Sequence, residues 1–219
     1  MSASAQEIYR QQGLGQIMGF GERPALLIID MQNDFCDADA PSTLYPSILS
    51  TFEPIARLAS AMRAKGRPVI YTQGLVAADG TSAGLWRLKM KHHGLGAVQI
   101  EGSRGAEIVD SLKPQPCDRV IRKWRPSAFF RTDLEVFLGV QGIDTLLLAG
   151  TSLSGCVRAT ATDAFMRDIR PMIVVEAVAD RSASVFEANL FDLQQKYADV
   201  VRLDNCIAYL DGLSASKAR

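Results

Sequence analysis

The chain has 219 residues, 47% hydrophobic and 22% charged, an ordinary globular composition that excludes global disorder. Twenty-four basic residues balance twenty-four acidic ones, so no cationic excess points to nucleic acid or an anionic membrane as partner. Four cysteines, Cys36, Cys117, Cys156 and Cys206, form no C-x-x-C pair and are too sparse for a disulfide scaffold.

Residues 1–18 are polar and lack the apolar core of a secretory signal. No apolar stretch reaches the ~18 residues that span a bilayer. The expectation is a cytoplasmic protein with an N-terminal arm over 1–18, one domain over 19–213 and a C-terminal tail over 214–219.

Strand and helix signals then alternate. Ala25-Leu26-Leu27-Ile28-Ile29 is a continuous apolar run, as in a parallel strand buried on both faces. Ile48, Phe52, Ile55, Ala59 and Met62 fall on one helical face and predict a helix over 44–65, stopped by Gly66. A second strand follows at 69–72. From 74 to 116 the periodicity fades, and the stretch reads as a long functional excursion with short helical pieces. Further strands are predicted at 119–122, 145–149, 172–175 and 200–203. Helices are predicted near 133–138, 155–167, 184–197 and 205–213. The pattern predicts an α/β fold: a doubly wound, mostly parallel six-stranded sheet with helices on both faces.

In such sheets ligands sit beyond the carboxyl ends of the strands, so polar residues just after strands are site candidates. Asp30 ends the first strand; its alternative reading is a turn carboxylate. Lys123 ends the third strand, and its alternative is a solvated strand end. Opposite Asp30 on an adjacent strand it would form an ion pair. Cys156 lies in Gly150-Thr151-Ser152-Leu153-Ser154-Gly155-Cys156, between the fourth strand and the next helix. A thiol at a helix N-terminus is expected to have a lowered pKa, and the free N–H groups there can hold an oxyanion. A buried structural thiol is the alternative. Together the three make coherent chemistry: Asp30 as general base, Lys123 holding the carboxylate, and Cys156 attacking a carbonyl. His92 and His93 follow no strand, and no G-x-S-x-G elbow is present.

The residues Leu27-Ile28-Ile29-Asp30-Met31-Gln32-Asn33-Asp34-Phe35, with Lys123 and Cys156 in that order, resemble the isochorismatase-like cysteine hydrolases. The resemblance runs from about residue 19 to 210. It implies a catalytic triad of Asp30, Lys123 and Cys156. It also implies a cis peptide between Thr151 and Ser152, with the Ser152 and Cys156 N–H groups as oxyanion hole. Metal-dependent nicotinamidases of this family carry Asp-x-His…His after the second strand; Gln73-Gly74-Leu75-Val76 stands here instead, so no metal and no cofactor are expected. Isochorismatases proper use no nucleophilic cysteine.

Gly84-Leu85-Trp86, Ser127-Ala128-Phe129 and Ser154-Gly155-Cys156-Val157-Arg158-Ala159 are similar to the N-carbamoylsarcosine and maleamate amidase subgroups. So are Ala179-Asp180-Arg181 and Glu187-Ala188-Asn189-Leu190-Phe191-Asp192. The resemblance implies ammonia release from a small amide that also bears a carboxylate. Arg181 would meet that carboxylate, with Arg125 and Lys89 as alternatives. Trp86, Phe35 and Gln32 are expected to contact substrate, and Arg158 and Asp163 to make structural pairs. Relatives form dimers or tetramers, so a homodimer or homotetramer is expected. Another leaving group on the same triad, or a non-catalytic binding protein on the same fold, are the alternative functions.

Overall fold

The computed structural model describes residues 4–90 and 98–215. Six strands form one sheet: β1 (Pro24–Ile29), β2 (Val69–Gly74), β3 (Arg119–Lys123), β4 (Thr145–Thr151), β5 (Arg170–Ala179) and β6 (Asp199–Val201). Their order is β3-β2-β1-β4-β5-β6, and every pairing is parallel. The chain winds outward from β1 to β3, returns to place β4 on the other side of β1, and winds outward again. The reversal at the β1–β4 pair opens a crevice beyond the strand ends, where doubly wound sheets bind ligands.

The helices are α1 (Ala5–Gln11), α2 (Asn33–Cys36), α3 (Phe52–Ala64), α4 (Trp86–Lys89), α5 (Leu134–Gln141), α6 (Arg158–Phe165), α7 (Ala183–Lys196) and α8 (Leu203–Gly212). Every residue of β1 is buried. Its side chains alternate between two apolar layers, as the two-residue strand period requires. Leu26 and Ile28 pack with Ile55, Leu58 and Met62 of α3 and Leu210 of α8. Ala25, Leu27 and Ile29 pack with Leu138 of α5, Ala161 of α6 and Leu193 of α7.

Some expected boundaries shift for local reasons. The helix predicted over 44–65 is a 3₁₀ turn, Ser47–Thr51, followed by α3. Pro54 sits in the first turn of α3, where its missing N–H leaves no bond unmade. Strand β5 runs to Ala179 rather than ending near Val175. Glu176 breaks the apolar run yet stays in the strand, accepting from the Leu203 N–H and pairing with Arg202. Within residues 1–18, a Ser4 capping box starts α1, and Tyr9 packs edge-on against Phe191 of α7 in the same chain. Among the described residues, no helix is long and apolar enough to cross a membrane.

Candidate active site

Asp30 leaves β1 with φ of 51°, in the left-handed region that residues other than glycine rarely adopt. Gly150, which pairs with Ile29 in register, allows this crossing. Its own φ is 103°, and a Cβ there would run into the Ile29 backbone. The Asp30 carboxylate is fully buried. Thr72, beside it on β2, accepts from the Asp30 N–H at 3.1 Å and donates to Oδ1 at 2.6 Å. Oδ2 faces the Lys123 ammonium at 2.7 Å, in a buried ion pair.

Lys123 does not come from a strand adjacent to β1, as the sequence suggests. Strand β2 lies between β1 and β3, and the lysine side chain spans it. Its Nζ donates to the Arg125 carbonyl at 3.2 Å and to Cys156 Sγ at 3.4 Å. Burial pulls the ammonium's pKa down, but the Asp30 charge and the Cys156 sulfur outweigh it, so the net direction is up. The lysine therefore stays charged.

Cys156 corrects a second expectation. It lies inside a π-type turn, Leu153–Val157, that runs on into α6, so it is not the first residue of a free helix end. Its residue keeps a face toward the cavity while its sulfur is desolvated. That desolvation is the largest influence and pushes the thiol up. Lys123 pulls it down and Asp30 pushes it up again, for a value of about 12. The resting group is a neutral thiol, not a thiolate. The Thr151–Ser152 peptide is cis, where the resemblance places it. Asp180, at the end of β5, accepts from the Ser154 N–H at 2.6 Å and pins the turn that carries the thiol.

A cavity of about 120 Å³ opens over these groups. Phe35, Trp86 and Arg181 line it, as expected, and so do Ser152 and Cys156. Arg181 is exposed, and its Nη2 donates to the Ser42 carbonyl at 3.0 Å. It forms no ion pair with Asp180 or Glu176, the structural alternative for this side chain; Glu176 pairs with Arg202. Arg125 also lines the cavity, whereas Lys89 faces an outer groove beside Leu85 and Leu88.

Gln32 is a third correction. It does not face the cavity. Its amide is fully buried, donating to the Gly74 and Ala106 carbonyls at 2.9 and 2.8 Å and accepting from the Gly74 N–H at 2.9 Å. It clamps the end of β2 to the excursion. Gln99, absent from the sequence-based set, does line the cavity; its N–H donates to the buried Asp34 carboxylate. Thr72 was equally invisible as a positioning group, although its place beside Asp30 on the neighbouring strand is the signal that could have found it. Arg158 pairs with Asp192 and Asn189, and Asp163 accepts from Ser127, so both are structural as expected. His92 and His93 lie outside the described residues. Among the described residues, no three His, Cys, Asp or Glu side chains gather as a metal site.

The isochorismatase domain model matches residues 24–205. The chain belongs to the isochorismatase family of hydrolases. It is 37% identical over 211 residues to N-carbamoylsarcosine amidase of an Arthrobacter species, covering 94% of this chain and 78% of that one. It is 39% identical over 220 residues to maleamate amidohydrolase of Pseudomonas putida, covering 96% and 97%. A solved isochorismatase family protein from Desulfovibrio vulgaris superposes with a TM-score of 0.80 at 34% identity, over 87% of this chain and 100% of that one. In this isochorismatase-family chain, three of the six sheet strands and the turn after a fourth bring Asp30, Thr72, Lys123 and Cys156 to one point.

Proposed function

We propose that the protein is a metal-independent cysteine amidohydrolase that releases ammonia from a small amide or ureido acid bearing a carboxylate. Relatives named for N-carbamoylsarcosine and maleamate support that substrate class. The observation that carries the reading is the position of the Lys123 ammonium, in contact with both the Asp30 carboxylate and the Cys156 sulfur at the floor of the cavity.

The chemistry follows from the protonation states. Burial raises the Cys156 thiol well above its ordinary value, so the resting sulfur is protonated at pH 7. The proton must therefore leave as sulfur attacks. Asp30 takes it, Lys123 shields the negative charge as it shifts toward sulfur, and a C–S bond forms at the amide carbon. The oxyanion is held by the N–H groups of Ser152 and Cys156, two residues of the cavity lining. The tetrahedral intermediate breaks its C–N bond, and Asp30 returns the proton to the departing nitrogen as ammonia forms. Water then attacks the acyl-thioester, giving a proton to Asp30, and the C–S bond breaks to restore thiol and carboxylate. Arg181, whose guanidinium pairs with no carboxylate among the described residues, meets the substrate carboxylate.

No resident cofactor enters these steps, and nucleic acid and membrane have no part in them. Assembly as a homodimer or homotetramer belongs to the same proposal, and light scattering that gives a monomer mass removes it. The main test is ammonia release from a panel of small acid amides and ureido acids. Wild type should turn over at least one and Cys156→Ala none. Full activity in Cys156→Ala would overturn the reading.

A further inference from the structure

Three cations line the cavity, Lys123, Arg125 and Arg181, and no carboxylate is among its described lining residues. Lys123 is neutralised by Asp30. Arg125 and Arg181 form no ion pair with any described residue. Two unneutralised guanidinium groups on a small, largely apolar cavity ask for an anion.

The two arginines are placed differently. Arg181 is exposed and tied to Ser42. Arg125 is half-buried and belongs to the catalytic framework. Its carbonyl accepts from Lys123 Nζ, so one ammonium touches both the Arg125 backbone and the Cys156 sulfur. Its guanidinium is held in one orientation by Nη1, which donates to the Ser82 carbonyl at 2.9 Å and the Trp124 carbonyl at 2.6 Å. Gly84 leaves room for it, since a Cβ there would stand 3.0 Å from Nη2. With Nη1 occupied, Nε and Nη2 make no hydrogen bond to a described residue. Those two N–H groups form one edge of the guanidinium, the geometry that grips a carboxylate in a bidentate pair. Fixing that edge in advance lowers the entropy cost of using it.

We propose that Arg125 is a specificity-determining residue that binds the substrate carboxylate, with Arg181 as the second guanidinium on the same anion. This rests on the amidohydrolase reading of the site. It goes further by making the preference for acids depend on a residue next to the catalytic lysine, not on Arg181 alone.

The experiment compares two amides that differ only at the far end: maleamate and its analogue with a methyl group in place of the carboxylate. The readout is the ratio of their kcat/KM values. In Arg125→Met that ratio should fall by about 10- to 100-fold, the size of a lost charged hydrogen-bond pair, with Arg125→Lys recovering part of it. A ratio unchanged in Arg125→Met overturns the proposal. So does an equal loss on both amides, which would mean that Arg125 only ties the loop at Ser82 to Lys123. A second arm needs no turnover. Maleate is titrated into Cys156→Ala protein with and without Arg125→Met, and affinity should drop by at least about tenfold. If neither amide is hydrolysed by wild type, the amidohydrolase reading fails for this substrate class, and the maleate titration still decides the role of Arg125: a drop supports it and equal affinity overturns it.

Discussion

The Lys123 ammonium stands 2.7 Å from Asp30 Oδ2, with both side chains almost wholly buried. Such a pair is costly to break from one side, because the survivor is left charged without a partner. Lys123→Met should lower unfolding free energy by about 3–5 kcal/mol and abolish turnover. Adding Asp30→Asn to it should recover much of the stability and none of the activity. Urea melts of the two single variants and the double variant check this. Equal stability of Lys123→Met and wild type would mean that the pair is not formed as described.

Thr72 holds Asp30 through both its backbone N–H and its Oδ1. Thr72→Val keeps the shape and removes both bonds, leaving a buried carboxylate oxygen less satisfied at a cost of about 1–3 kcal/mol. Misplacing Asp30, the proposed general base, should cut kcat by about 10- to 100-fold with little change in KM. A Thr72→Ser variant should restore most of the rate. Steady-state kinetics of the pair tests this, and a change confined to KM would contradict it.

Gln32 distinguishes a structural clamp from a substrate contact. Gln32→Met removes its bonds to Gly74 and Ala106 and should cost about 3 kcal/mol. The preference for an acid amide over its neutral analogue should be retained. Thermal melts and the same two-substrate ratio settle the matter. A lost preference with an unchanged melting temperature would return Gln32 to the substrate.

These residues also show what the sequence could and could not reveal. Strand β1 was legible because burial on both faces forces a run such as Ala25–Ile29 to be wholly apolar, and Asp30 then stands out at its end. Lys123 was legible as the polar end of its strand, and Cys156 as a thiol in the Gly- and Ser-rich turn that follows β4. Gln32 was misread because it follows Asp30 closely, and the left-handed turn at Asp30 that redirects the chain has no marker in a non-glycine residue. Gln99 was missed because the excursion is held by individual side-chain bonds, such as those at Gln32 and Asp34, which have no period to read. The state of Cys156 depended on desolvation, which only packing reveals.

Alkaline pH should destabilise the fold through its buried thiols. Burial raises Cys36, Cys156 and Cys206 from about 9.0 to about 12, with smaller contributions from neighbouring acidic groups at Cys36 and Cys206. The unfolded chain loses these protons near pH 9 while the folded chain holds them. The unfolded state thus binds fewer protons between about pH 9 and 12, and stability falls as pH rises through that window. At pH 10.5 Cys36 and Cys206 would each account for about 2 kcal/mol at most. Melting temperatures at pH 8 and pH 10.5 should differ by several degrees, and the drop should shrink in Cys206→Ala. An equal drop with and without Cys206 would contradict this cause.

The central claim is that Cys156 forms the acyl bond. Rapid acid quench of the enzyme with a turned-over acid amide, followed by peptide mass spectrometry, tests it directly. The account predicts an acyl mass on the peptide carrying Cys156, formed with one equivalent of ammonia and absent in Cys156→Ala. An acyl mass on the Cys36 peptide, or ammonia release at the full rate from Cys156→Ala, would contradict it.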